Sequence, residues 1–266
     1  MFSQSIPNSY TMPNNDKGAF VRAQKLAPVA EGYASDLRIS KFEGGTDETS
    51  AHINSRSIVS FVSGVAGQAR RDVLNATLFA QLAADHEFPR MEQPKAWLTR
   101  YTDILNQIGW NLEAGERREY ASEVNEFDMN KALLKIMGGA LLGPVSQLVI
   151  ITATLDALKD LGEGAEDIKV FERRLQELDT NSFQLGLASE ENEAVSLTLS
   201  IFMVKTTQGS RKILFFTGGK DEVALSYYLV QGTLNEEVYG EVRQDVVAML
   251  GDRAKKSLRN IKLAIA

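Results

Sequence analysis

The central segment between Lys135 and Asp156 places the strongest constraint on the fold, because it holds twenty consecutive residues without a charge. A helix of about this length is needed to cross the apolar core of a bilayer. Gly143 and Pro144 interrupt the run, and proline both breaks a preceding helix and suits the first turn of the next. The run therefore predicts a central apolar hairpin of two helices, the second extending from Val145 to about Lys159.

This hairpin has three interpretations. Burial among surrounding elements explains a segment that is apolar on nearly every side. A membrane span is disfavoured, because the run also contains Gly138, Gly139, Gln147, Thr152 and Thr154 besides Gly143 and Pro144. A surface that contacts lipid or another ligand is the interpretation with functional content. Its candidate lipid-contacting residues are Leu148, Ile151 and Leu155.

The segments before the hairpin favour helices. The stretch that begins at Ser57 places apolar side chains at helical spacing, which predicts one long helix or two, loosened near Gly64 and Gly67. Pro94 then opens another helix, and Gly109 ends it. After Gly109 the helical pattern fails, and the following residues alternate well enough to predict an extended strand or a bent hairpin. Asp128 is a predicted N-cap for the first helix of the central hairpin.

The segments after the hairpin predict a surface helix, a sheet and a final helix. Residues 165–178 have the pattern of the surface helix. Residues 194–207, 212–217 and 222–232 predict three strands joined by short glycine-containing turns. A final helix is predicted to begin after Asn235. The whole pattern predicts the α+β class, with helices packed on an antiparallel β-meander around the central apolar hairpin.

Domain organisation follows from a change in composition. Residues 1–52 are rich in Pro, Asn, Ser and Gly and show no sustained periodicity, which predicts a weakly ordered or extended arm. Residues 53–266 are predicted to form a single α+β domain. The first twenty residues have neither a basic start nor a continuous apolar run, so we expect synthesis in the cytoplasm. Export without a signal peptide stays open.

Composition also limits the chemistry. A net charge of −6 argues against a nucleic-acid partner, because phosphate binding usually appears as a basic excess. The absence of cysteine excludes disulfides, thiolate metal sites and cysteine nucleophiles. His52 and His86, the two histidines, are far apart and lie in no metal-ligand spacing. Residues 218–222 lack the spacing of a phosphate loop. The sequence therefore assigns no catalytic residue, no metal ligand and no cofactor.

Three runs carry a resemblance to a known group: "SIVSFVSGVAGQARRDVLNATLFAQLAAD", "WLTRYTDILNQIGW" and "LNEEVYGEVRQDVVAMLGD". They resemble the Erwinia virulence factor group of largely uncharacterised microbial proteins, over most of the chain after about residue 55. The resemblance implies a mixed helix and sheet fold, no known enzyme activity and a bacterial factor that associates with lipid. Lipid attachment in that group uses a cysteine, so covalent acylation by that route is excluded here.

Three hypotheses about function follow from these observations. The favoured hypothesis is a non-enzymatic effector or virulence-type factor that binds lipid or associates peripherally with membranes. It draws on the uncharged run and on a basic C-terminal cluster that includes Arg253, Lys255 and Lys256, since such clusters attract anionic head groups. The alternatives are a soluble, hydrolase-like enzyme with an unrecognised site, and a structural protein that binds a protein partner of unknown identity.

Overall fold

A long β-sheet with helices on both faces organises the molecule. The computed structural model describes residues 16–29, 48–141, 143–161, 171, 181–206, 213–261 and 263. Within these residues the helices are α1 Lys17–Ala23, α2 Gly67–Glu87, α3 Pro94–Gln107, α4 Met129–Ala140, α5 Val145–Leu161, α6 Glu236–Leu250 and α7 Asp252–Ser257. A short 3₁₀ turn, Lys220–Glu222, precedes the last long strand.

The sheet is mixed and draws strands from both halves of the chain. Its order is β10-β1-β2-β6-β7-β9-β3, with β4 also paired to β9, while β5 and β8 form a separate two-stranded sheet. Only β2 and β6 run parallel among the described pairs. The strands are β1 Ser50–Asn54, β2 Ser57–Phe61, β3 Trp110–Ala114, β4 Arg118–Tyr120, β5 Glu126–Asp128, β6 Ser182–Glu191, β7 Ala194–Thr206, β8 Thr217–Gly219, β9 Val223–Leu234 and β10 Leu258–Ile261.

Each face of the sheet supports its own hydrophobic core. Along β7, Leu199 and Ile201 point toward a core completed by α2, α3 and α6. Phe202 and Val204 point the other way, into a core completed by α4 and α5. This alternation is what a strand produces, because successive side chains leave opposite faces. The protein is thus a three-layer α+β structure, and the predicted fold class is confirmed.

The predicted helix from Ser57 is wrong, because Ser57–Phe61 forms strand β2. All five residues of this strand are buried. A strand buried on both faces lacks the polar and apolar alternation of a half-buried strand, so its short apolar run also fits a helix. Gly64 adopts a φ of 88° and separates the strand from α2, which begins at Gly67.

The predicted three-stranded meander is present, but the prediction is wrong for one of the three segments that were expected to form it. The strands at residues 194–207 and 222–232 are confirmed as β7 and β9, and they pair directly with each other. The third member is β6, which the sequence pattern did not indicate, and not residues 212–217. Ile213 and Leu214 instead fill the core beneath α4 and α5. Among the described residues 213–217, only Thr217 enters a strand, the short β8.

Several local signals are confirmed. Pro94 is the first residue of α3. The Asp128 carboxylate accepts a hydrogen bond from the backbone N–H of Lys131, and the Asn235 side chain accepts one from that of Val238. The apolar run forms two helices, α4 and α5. The predicted surface helix at residues 165–178 lies outside the described residues apart from Phe171. The division at residues 52 and 53 stays a prediction, although β1 spans it.

Gly109 ends α3 in a way that only glycine tolerates. Its φ is 107°, and a Cβ atom there would lie 2.8 Å from the backbone nitrogen of Tyr239 on α6. We expect Gly109→Ala to lower the free energy of unfolding by at least about 2 kcal/mol, because backbone strain and overpacking add. Gly64→Ala is the control, since no atom lies within 4 Å of its Cβ position. Strain alone should cost the control about 1 kcal/mol in urea denaturation. Equal losses would contradict the close approach.

Candidate functional site

The turn between α4 and α5 presents an apolar surface to solvent. Val145 is 81% exposed and Val149 is 51% exposed. They lie four residues apart on α5 and therefore share one helix face, next to the exposed Pro144. We call these three residues the hairpin tip. Single exposed apolar residues are common on protein surfaces, but adjacent ones at the end of an uncharged hairpin suggest a contact surface.

The candidate lipid-contacting residues predicted from the sequence lie on another side of α5. Ile151 is fully buried and Leu155 is 1% exposed, and both belong to the core between α5 and the sheet. Leu148 is half-buried and packs against α4, where a Cβ added to Gly138 would lie 3.3 Å from its Cδ2 atom. In this arrangement Ile151 and Leu155 contact protein, and lipid reaches them only if α5 separates from the sheet.

Neutral groups attach α4 and α5 to the sheet. The Thr154 hydroxyl donates to the carbonyl of Ile150, so the Ser60 hydroxyl donates the 2.8 Å bond that joins it to Thr154 Oγ1. At the end of α4, the Gln231 amide donates to the carbonyl of Ala140 at 2.8 Å. Among the described residues, no ion pair joins α5 to any other element. Separation of α5 would therefore leave no buried charge without its counter-ion.

Buried charges hold the opposite layer in place. Arg243 on α6 makes a bidentate contact with Asp72 on α2, with Nη2 2.8 Å from Oδ2. Burial raises the pKa of Asp72, although the hydrogen bonds from Arg243 and Gln68 oppose that rise. The same contacts with Asp72 raise the pKa of Arg243. Moving α2 away from α6 would break a buried charge pair, which is costly when one partner is left behind.

A second charged cluster fixes the junction of α2 and α3. Asp85 accepts hydrogen bonds from Arg90 Nε at 2.6 Å and from the Trp97 indole at 2.8 Å. The Arg90 guanidinium lies 4.1 Å from the centre of the Trp97 ring, and Trp97 stacks on Tyr101. The two helical layers therefore differ, since one contains buried ion pairs, whereas the described ion pairs of α4 involve the exposed lysines Lys131 and Lys135.

The two histidines considered in the sequence, His52 and His86, do not form an accessible catalytic centre. His52 Nε2 lies 3.2 Å from the Ser50 hydroxyl, which also accepts a hydrogen bond from Arg70. Burial and, to a smaller extent, the charge of Arg70 lower the pKa of His52 to about 4. His86 is exposed at the end of α2. Neither histidine lines the two cavities that flank β4 and β9.

Within the parts of the chain that the structure describes, no three His, Asp or Glu side chains are grouped closely enough to hold a metal ion. In the same residues, no helix combines the length and the apolar character needed to cross a membrane.

Fold and hairpin together define the class: a three-layer α+β protein in which the helical hairpin of α4 and α5 carries an exposed apolar tip. No family model matches the chain, and no curated protein matches it. Among solved structures, a delta-endotoxin is similar with 12% identity and a TM-score of 0.41, covering 78% of this chain and 90% of its own. The Evf virulence factor is similar with 10% identity and a TM-score of 0.37, covering 77% and 83%.

These structural similarities are weak. Both TM-scores lie below 0.5, so neither establishes a shared fold or activity.

Proposed function

We propose that this protein is a non-enzymatic, bacterial virulence-type effector that associates peripherally with lipid surfaces through α4 and α5. The effector role follows the resemblance in sequence, and the lipid contact follows the geometry of the hairpin. The observation that carries the lipid contact is the exposed apolar tip formed by Pro144, Val145 and Val149.

The tip favours lipid because its apolar side chains lose contact with water on binding. Burying a valine side chain contributes roughly 1.5–3 kcal/mol. Val145 and Val149 are both more than half exposed, so most of this contribution is available to a membrane. No charged residue lies between Lys135 and Asp156, so the tip can enter the head-group boundary without desolvating an ion.

The attachment of α5 supports a second stage of the same contact. Its inner face, which includes Ile151 and Leu155, is apolar, and lipid tails are about as apolar as the core it leaves. The main polar bond to be broken is the neutral pair of Ser60 and Thr154. We propose that Leu148, Ile151 and Leu155 contact lipid once α5 has moved away from the sheet.

Charged substitutions at the tip test the proposal. Val145→Glu combined with Val149→Glu should weaken binding to phosphatidylcholine vesicles at least about tenfold, because a carboxylate resists transfer to the apolar boundary. Both positions are exposed, so the fold should tolerate the changes. Vesicle flotation of the full chain measures the effect, and circular dichroism checks the fold.

A matched control comes from the opposite layer. Val247 on α6 is 48% exposed, close to the exposure of Val149. Val247→Glu adds a carboxylate to the surface but leaves the tip intact, so its vesicle binding should equal that of the unaltered protein. If the unaltered protein does not float with vesicles, or if Val247→Glu is as harmful as the tip variant, the lipid proposal is wrong.

A further inference from the structure

An open cavity of about 240 Å³ lies between α4 and the strands β4 and β9. Gly139 and Ala140, the last residues of α4, form part of its wall, so the cavity lies at the end of α4 from which the chain continues to the hairpin tip. A Cβ atom added at Gly139 would have no neighbouring atom within 4 Å, so there is free space at this wall of the cavity. The cavity is smaller than the ~300–1,000 Å³ sites that enclose drug-sized molecules, and suits a small polar group.

The alternation of side chains along β4 and β9 determines which of them face this cavity. In the pairing of β4 with β9, Arg118 is opposite Tyr227 and Tyr120 is opposite Leu225. Tyr120, Tyr227 and Leu225 belong to the core beneath α4 and α5, so Arg118 lies on the same face as they do. Glu119 is opposite Ser226, so its side chain leaves the other face of the strand, where a second cavity also includes Arg117. Glu119 nevertheless forms part of the wall of the first cavity as well.

Four hydrogen-bond donors surround the cavity on the α4 side. They are the Arg118 guanidinium, the Lys135 ammonium and the phenols of Tyr120 and Tyr227. Among the described residues, no carboxylate lies within ion-pair distance of Arg118. Lys135 contacts Glu123, but both side chains are more than half exposed, so an incoming anion can replace this carboxylate.

We propose that this cavity binds a phosphate group, either in the head group of a phospholipid or in a free phosphate ester. Arginine is suited to bidentate contact with phosphate oxygens, and the two phenols supply further donors. The lipid form of this inference rests on the proposed function, because the tip beside the cavity would bring the head group to it. The cavity would then bind the charged head group, while the hairpin tip would contact the apolar part of the membrane.

Two variants of equal charge test the site. Arg118→Gln should weaken binding to phosphatidylcholine vesicles that contain phosphatidylglycerol by about fivefold relative to the unaltered protein, since one cation near an anionic surface contributes about that factor. Arg117→Gln removes the same charge from the residue before β4, which lines the second cavity, and should change binding much less. Tyr227→Phe removes a donor without altering net charge, and should weaken binding of glycerol phosphate by about threefold.

Glycerol phosphate, followed by isothermal titration calorimetry with the full chain, separates the two sources of phosphate. Binding that depends on Arg118 but not on Arg117 supports the site. If glycerol phosphate binds in this way and vesicles do not, the site stands for a free phosphate ester and the lipid function falls. If vesicles bind, glycerol phosphate does not, and Arg118→Gln behaves like Arg117→Gln, the phosphate site is overturned and the lipid function stands.

Discussion

A disulfide between Ser60→Cys and Thr154→Cys should weaken vesicle binding at least about tenfold, because it prevents the inner face of α5 from reaching lipid. The two native hydroxyl oxygens lie 2.8 Å apart, so cysteine sulfurs at these positions can approach bonding distance. The chain contains no cysteine, so the engineered pair has no competing thiol. Flotation of the oxidised protein measures the effect, and intact mass confirms the bond.

The reduced form of the same variant is the control. Adding dithiothreitol should restore binding to the level of the unaltered protein, which distinguishes the cross-link from any effect of the two substitutions. If the oxidised protein binds as strongly as the reduced protein, contact is confined to Pro144, Val145 and Val149. Ile151 and Leu155 would then have only a packing role.

Acid should destabilise the protein through His52 by on the order of 3 kcal/mol between about pH 6.5 and pH 4. The pKa of this buried imidazole falls from 6.5 to about 4 on folding, because burial and the nearby Arg70 disfavour its charged form. Between these two values the unfolded chain binds a proton that the folded chain does not. The stability is therefore complete above about pH 6.5 and is lost as the pH falls toward 4.

The variant His52→Gln isolates this contribution. Glutamine keeps a polar side chain near Ser50 but does not titrate, so the difference in unfolding free energy between variant and unaltered protein should change with pH. Urea denaturation at several pH values measures that difference. Asp72, whose pKa is raised by burial, titrates in both proteins and cancels in the comparison. A difference that stays constant from pH 7 to 4 would contradict the role given to His52.

The sequence predicted the parts of the fold that have strong local signals. Pro94 and Pro144 mark the beginnings of helices because proline suits the first turn, and Asp128 and Asn235 mark caps because their side chains accept free backbone amides. The strand β7 is visible because only one of its faces is uniformly apolar. The α+β class and the central hairpin follow from these signals.

The missed elements depend on contacts that local patterns do not contain. Strand β2 pairs with β6, although the two strands lie far apart in the sequence. Strand β10 likewise pairs with β1, which comes much earlier in the sequence. Strand β6 carries Gly186 at its centre, where an added Cβ would lie 2.7 Å from a Leu199 side-chain carbon. Glycine weakens the strand signal in sequence, yet here it permits close packing against β7.

The candidate site was predicted in outline but not by residue. The apolar run located the hairpin, whereas its uniform lack of charge concealed which side of α5 faces solvent. Val145 and Val149 are exposed, while Ile151 and Leu155 are buried. Arg118 and Tyr120 gave no signal either, because their position depends on how β4 pairs with β9. The buried face of a helix can be recognised from the sequence only when polar residues occupy the outer face, and α5 has few polar residues there.

The placement of β1 between β2 and β10 has a consequence for synthesis. Its partner on one side follows within a few residues, but its partner on the other is Leu258–Ile261. A nascent chain therefore holds an open strand edge until residues 258–261 have left the ribosome. Unpaired edges are prone to associate with other chains, so this period is when the protein most needs a chaperone.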